Sequence, residues 1–218
     1  MRKSLLAVAT ATAVACLALT ACQNDSGSKS PTGQASTTGT PGTRPSAEGP
    51  GGGSGTDPSP GAVAQALGES SRTVGAGTVG ILEITPTTVV YLQDAGGQSS
   101  QYGTFAVVAM DEKSLSANPA AETVLAKGGG WHWAAPDGTL VAEGSGHAAR
   151  VALGKYRHSG AIEPGAHEVR AKVFDLTRAQ AAGGKLVYTD GTESSDRWSI
   201  PAKDSGPQIA EVRDELSR

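Results

Sequence analysis

Thr104-Phe105-Ala106-Val107-Val108-Ala109-Met110 is a run of seven residues, six of them apolar and none charged. Gly103 precedes it and Asp111 closes it. Apolar side chains stand at consecutive positions, so both faces of an extended chain here must be covered. That pattern and length predict a central strand of a layered β-structure.

Short β-runs continue on both sides of it. Upstream, Thr87-Thr88-Val89-Val90-Tyr91-Leu92 is rich in β-branched residues and ends at the turn-forming Asp94-Ala95-Gly96-Gly97. Before it, Val79-Gly80-Ile81-Leu82-Glu83-Ile84 reads as a separate strand, with Thr85-Pro86 as the break. Downstream, Trp131-His132-Trp133 puts two indoles on one face and the imidazole on the other. Pro136-Asp137-Gly138 is a turn, since Pro presets φ and Gly accepts positive φ, and Thr139-Leu140-Val141 returns as a strand. After the turn at Pro164-Gly165, Glu168, Arg170 and Lys172 alternate with Val169, Ala171 and Val173, the pattern of a half-exposed strand. Leu186-Val187-Tyr188, closed by Asp190-Gly191, and Arg197-Trp198-Ser199-Ile200 complete the set.

Seven to nine strands with frequent turns predict an all-β antiparallel sandwich or barrel over residues 77–201. Residues 62–76 form a lead-in, with a helical turn or two expected at Ala62–Leu67. In the tail, 202–218, Ile209, Val212 and Leu216 fall at i, i+3 and i+7 behind Pro207, which predicts a short helix.

The N-terminal third differs in kind. Arg2 and Lys3 precede an uncharged run from Leu5 to Leu19, too short to span a bilayer comfortably and suited to an export signal. From Gln23 to Gly61, Gly, Ser, Thr and Pro supply 29 of 39 residues, and Ala35 and Ala47 are the apolar side chains. Such a segment cannot bury enough surface to offset its ordering entropy, so a disordered tether is expected. The formal charge of the chain is −3. That is no footprint for nucleic acid. Cys16 and Cys22 are the two cysteines, so no disulfide lies within the predicted folded part.

Leu19-Thr20-Ala21-Cys22 resembles the bacterial lipobox, a Leu and two small residues before Cys. The resemblance implies a signal peptide at 1–21, cleavage before Cys22, and a diacylglyceryl group on the Cys22 thiol. Residues 22–61 would then be a lipid-anchored tether, and the protein would sit on the extracytoplasmic face of the cell membrane. Two acyl chains anchor firmly where one is marginal.

Residues 77–201 also resemble the immunoglobulin-like domain of unknown function found in Gram-positive lipoproteins. The matching features are Phe105-Ala106-Val107-Val108-Ala109, the hairpin Ala135-Pro136-Asp137-Gly138, and Ile162-Glu163-Pro164-Gly165 leading to Val173-Phe174-Asp175-Leu176. Ser116-Ala117-Asn118-Pro119 departs from the Asn-x-Gly-like segment that often follows the central strand. The resemblance implies an immunoglobulin-like sandwich and carries no catalytic residues.

Chemical motifs are incomplete. Gly75-Ala76-Gly77-Thr78-Val79-Gly80 spells G-x-G-x-x-G, but polar residues precede it and a strand follows, whereas a dinucleotide site needs strand then helix. His167-Glu168 begins a zincin motif that Ala171 ends. His132, His147 and His158 are scattered, and Glu143 spoils a nucleophile elbow at Ser145. Asp111-Glu112 reads as a solvated strand end, and Asp94, Asp111 and Asp190 lack calcium-loop spacing. No cofactor or metal is expected. Trp131 and Trp133 are core residues or a binding platform, the latter kept open by Gly128-Gly129-Gly130 before them. The function expected is a non-enzymatic binding module for a protein, peptide or cell-wall ligand. The alternative is a cell-envelope enzyme with catalytic residues dispersed over loops.

Overall fold

The computed structural model describes residues 63–218. The signal peptide, Cys22 and the tether to Gly61 lie outside them. The strands are β1 (Gln65–Ala66), β2 (Ser71–Val74), β3 (Ile81–Leu92), β4 (Asp94–Ala95), β5 (Gln98–Ser99), β6 (Thr104–Ser114), β7 (Gly130–Ala134), β8 (Leu140–Ala142), β9 (His167–Leu176), β10 (Lys185–Thr189) and β11 (Ser195–Ser199); helix α1 (Ile209–Leu216) follows. One sheet has the order β1-β11-β10-β7-β8 and the other β2-β3-β6-β9, with β4 and β5 forming a small hairpin. All pairings are antiparallel except β1 with β11. The β-rich layered architecture is as expected. The expected helical turns at 62–67 are replaced, from Gln65, by β1, an edge strand on the five-stranded sheet.

The run 104–110 is the heart of β6, which lies between β3 and β9. Its residues from Phe105 to Met110 are all buried. The two runs expected before it are one strand. Pro86 does not break β3, because its carbonyl accepts a hydrogen bond from Gly68 at 2.7 Å, on the side away from β6. The missing N–H shares that side, so the ladder to β6 loses nothing. The register shifts between Pro86 and Thr88, leaving Thr87 as the extra residue of a bulge. The chain after β11 closes over this irregularity: Val89 and Ser205 exchange backbone hydrogen bonds at 2.9 and 3.0 Å. At Gly206, φ is +109° and a Cβ would stand 2.3 Å from the Thr87 carbonyl oxygen, so this approach requires glycine.

Between the sheets, Leu82, Ile84, Val89, Ala106, Val108, Met110, Phe174 and Leu176 meet Trp131, Trp133, Leu186, Tyr188 and Trp198. The Trp131 ring lies 4.7 Å from Tyr188 and 6.0 Å from Trp198; Trp133 lies 5.9 Å from Phe174. Each indole N–H has an acceptor: Glu122 for Trp131, the Gln180 carbonyl for Trp133 and the Glu69 carbonyl for Trp198.

The second core lies on the far side of the four-stranded sheet. Val90, Phe105, Val107, Ala109, Ala171 and Val173 are covered by Ala148, Val151 and Tyr156 and by Val212 and Leu216 of α1. The short helix therefore forms as expected and has a defined role, sealing one end of that face. No helix among the described residues is long and apolar enough to cross a membrane.

Candidate functional site

Trp131 and Trp133 are 1% and 0% exposed, so of the two readings core packing holds and the binding platform is corrected. The glycines before them serve close packing. A Cβ on Gly129 would meet Thr123 and the Thr189 carbonyl at 2.5 Å, and one on Gly130 the Leu125 nitrogen at 2.9 Å. His132, of opposite parity, does face outward, and it lines a recess on the outer face of its sheet.

That recess is a groove of about 730 Å³ on the outer face of the five-stranded sheet, lined by His132, Ala134, Ala135, Pro136, Gly138, Leu140, Gly183, Lys185, Val187, Thr189, Ser195 and Arg197. Cross-strand register builds it in rows. Ala142, His132, Val187 and Arg197 stand side by side across β8, β7, β10 and β11. The next row is Leu140, Ala134, Lys185 and Ser199. With strands about 4.8 Å apart, His132 and Arg197 flank Val187 at roughly 10 Å from each other. Val187 is 8% exposed and forms the floor, while Leu140 is 63% exposed at the rim. Among the described residues, no Asp or Glu lines the groove. Two permanent cations and an imidazole over an apolar floor suit an anionic ligand.

A smaller recess of about 340 Å³ lies along the other side of β8, lined by Tyr102, Leu140, Val141, Ala142, Ser145, Asp175, Thr177 and Gln180. Asp175 shapes its wall. Its carboxylate accepts from the Ser100 hydroxyl at 2.5 Å and from the backbone of Gln101, Tyr102 and His147 at 3.0, 3.2 and 2.9 Å. Burial pushes its pKa up, but these four donors outweigh that and hold it below the ordinary aspartate value.

The second polar feature lies inside the sandwich. Glu112, Arg170 and Lys172 are buried, which corrects two expectations. Glu112 is part of β6 and not a solvated strand end. The charged parity of β9 points inward, and its Ala171 and Val173 pack outward beneath the second core. Lys172 Nζ is 2.6 Å from Glu122 and 3.9 Å from Glu143. It also lies 5.8 Å from the Trp131 ring centroid. Arg170 reaches Glu168 at 2.8 Å, the Gly160 carbonyl at 3.0 Å, and Glu112 and Glu122 at 3.4 Å each.

Four carboxyl groups thus meet two cations. Neither Glu112 oxygen has a hydrogen-bond partner among the described residues, although Arg170 stands 3.4 Å from one of them. Burial, and then the Glu122 charge, push the Glu112 pKa well above the ordinary glutamate range. Burial also raises Glu122, but Lys172, Glu112 and Trp131 together hold it below its ordinary value. Such a split pair is what acid–base chemistry uses. Glu112 is 0% exposed and Glu122 12%, and the cations between them are as deeply buried, so the centre of the cluster lies inside the sandwich.

The remaining motifs resolve locally. A strand, β2, does precede Gly75–Gly80, but β3 follows, and Gly75 N donates to the Gly80 carbonyl in a tight turn. Ser145 donates to the Ala142 carbonyl. Asp190 accepts from Thr73, Val74, Thr192 and Ser194. Among the described residues, no three His, Cys, Asp or Glu side chains converge on a possible metal position.

Sequence reading found one groove residue, His132, by its parity. The others carried a usable signal: Lys185, Val187 and Arg197 alternate against Leu186, Tyr188 and Trp198, which fill the core. Glu112 follows Val108 and Met110 at a spacing of two, and Arg170 and Lys172 precede Phe174 and Leu176 in the same way. Extending the buried parity along each strand finds the cluster.

No family model matches the chain, and no curated protein matches it. Two solved structures are similar in part. One is a conserved hypothetical protein from Bacillus anthracis, 15% identical, covering 61% of this chain and 94% of that one at a TM-score of 0.42. The other is ycdA of Bacillus subtilis, described as a candidate lipoprotein, 14% identical, covering 67% of this chain and 42% of that one at 0.43. The fold assignment rests on the strand pairing above.

Proposed function

We propose that this chain is an extracytoplasmic lipoprotein anchored through Cys22, and that its sandwich is a non-enzymatic binding module for an anionic ligand. The observation that carries the binding reading is the groove on the five-stranded sheet, with His132, Lys185 and Arg197 around Val187 and no carboxylate among its lining residues. Among the described residues nothing packs on this sheet face, whereas the other sheet is covered on both sides, so it is here that a ligand has room.

The sandwich is read as immunoglobulin-like. In the lettering of that fold, β3, β6 and β9 take the places of A, B and E, and β11-β10-β7-β8 those of G, F, C and C′. β2 extends the first sheet, and the segment 143–166 runs where strand D would lie. β1, parallel to β11, stands where a switched A strand pairs with G. The anchor reading rests on the lipobox residues Leu19-Thr20-Ala21-Cys22.

Two experiments test the proposal. Chemical-shift mapping with carboxylated and phosphorylated cell-wall fragments is expected to perturb β7, β10 and β11. Shifts confined to other faces defeat the groove reading, and turnover of any fragment defeats the non-enzymatic one. Cys22→Ala is expected to leave an unprocessed, unlipidated precursor; normal lipid labelling of that variant refutes the anchor.

A further inference from the structure

The groove ends at β8, the edge strand of its sheet. Backbone pairing fixes which groups of β8 are used. The Thr139 carbonyl accepts from Ala135, and Glu143 N donates to the Trp131 carbonyl. Antiparallel strands alternate, so Thr139, Val141 and Glu143 turn their backbone toward β7, while Leu140 and Ala142 turn theirs away. The Ala142 carbonyl accepts from Ser145. The Leu140 N–H and carbonyl and the Ala142 N–H therefore face away from β7, on a side where β8 pairs with no other strand among the described residues.

This open edge has a recess on each side. The cationic groove lies on the outer side and the smaller recess beside Tyr102 and Val141 on the inner. A strand laid along β8 would send alternate side chains into the two. Main-chain pairing at an edge supplies affinity, and side-chain recesses of alternate parity supply specificity. The outer parity would lean over the groove toward His132, with Lys185 one strand further, and so would favour carboxylates. The inner parity would meet the carbon surface of Tyr102 and Val141 and would favour apolar residues.

We infer that β8 is a docking edge for an extended peptide segment of a partner protein, with acidic residues alternating with apolar ones. The inference rests on the reading of the groove as the binding face and names its ligand.

The test titrates the full chain, held in detergent, with labelled short peptides. These are an alternating Glu/Val sequence, its Lys/Val counterpart, and the Glu/Val peptide methylated on alternate backbone nitrogens in either phase. Polyphosphate serves as an anion without peptide groups. The Glu/Val peptide is expected to bind and the Lys/Val peptide not to. Methylation in one phase, and Leu140→Pro in the protein, should each weaken binding by roughly tenfold, the value of about one hydrogen bond. Proline is tolerated at an edge where its missing N–H faces outward. If Leu140→Pro fails to fold, the methylated peptides decide alone.

Glu/Val binding that ignores methylation in both phases overturns the inference. So does polyphosphate binding that Lys185→Glu abolishes, with no peptide binding; the groove reading then survives without it. Absence of all binding overturns both. A dimer in sedimentation that Leu140→Pro dissociates makes a second copy the occupant. Peptide binding that emerges only on deleting residues 23–61 makes the tether the resting occupant. Either result overturns the choice of partner.

Discussion

Arg170 and Lys172 stand on β9 of one sheet, and Lys185 and Arg197 on β10 and β11 of the other, so two pairs of cations can be compared across the sandwich. The first pair is sealed between the sheets against four carboxyl groups, and the second faces outward with none beside it. The chemistry of the cations is the same, and their surroundings give them opposite work. Enclosed charges hold structure together only while every partner is present, because removal of one leaves a desolvated charge. Open cations contribute little to stability and remain available to a ligand. The comparison divides the molecule into a charge network that the fold depends on and a charge surface that the fold can spare.

The largest effect should come from breaking the enclosed network. Glu122→Ala removes the nearest carboxylate from Lys172 and the acceptor of the Trp131 N–H. Glu143, at 3.9 Å, remains as a poor substitute. A loss of about 3–5 kcal/mol in denaturant unfolding is expected for an orphaned buried charge. A loss below about 1 kcal/mol would mean that water reaches Lys172, and the two cation pairs would no longer differ in kind.

Glu112→Gln should act in the opposite direction. The raised pKa of Glu112 sets the sign. Below the ordinary glutamate value, about 4.3, folded and unfolded chains both hold the proton, and the group has no pH-dependent effect. As pH rises past it, the unfolded chain releases the proton and the folded chain does not, so folding loses stability until the folded pKa is passed. Glutamine has no proton to lose and carries no charge beside Glu122. The variant is therefore expected to be the more stable by about 1–2 kcal/mol near neutrality, with the advantage shrinking toward acid. Thermal melts from acid to mild alkali measure this, and a gap that widens toward acid would show Glu112 to be an anion in the fold.

The layered all-β fold was legible because its signals are local. The run 105–110 has no polar residue within it, Pro136-Asp137-Gly138 is a turn by its own chemistry, and Val212 and Leu216 share a helix face. The direction of β9 was not legible from β9 alone. Glu168, Arg170 and Lys172 alternate with apolar residues as on a solvated sheet, and which parity faces inward depends on what covers the strand. Here α1 and residues 148–156, remote in sequence, cover the apolar parity. Glu112 and Glu122, just as remote, receive the cations. Pro86 misled in a related way, since its effect depends on the open side of β3. The groove was half legible: alternation shows that His132, Lys185 and Arg197 avoid the core, but only the strand order brings them side by side.

The smallest expected change in stability sharpens the comparison most. Lys185→Glu with Arg197→Glu reverses both permanent cations of the groove and adds two acids to a face that has none. Neither residue has an ion-pair partner among the described residues. Stability should therefore change by no more than about 0.5 kcal/mol. Binding of an anionic ligand, by contrast, should fall by at least roughly a hundredfold, since each reversal turns an attraction of about 1 kcal/mol into a repulsion of similar size. The salt dependence should collapse with it, because screening acts on the exposed charges. Calorimetric titration at two ionic strengths, beside a thermal melt of the same sample, separates the outcomes. A stable variant without affinity assigns the outer cations to recognition. A variant that unfolds as Glu122→Ala does would show that they, too, belong to the structure of the sandwich, and the groove would lose its claim to be a binding surface.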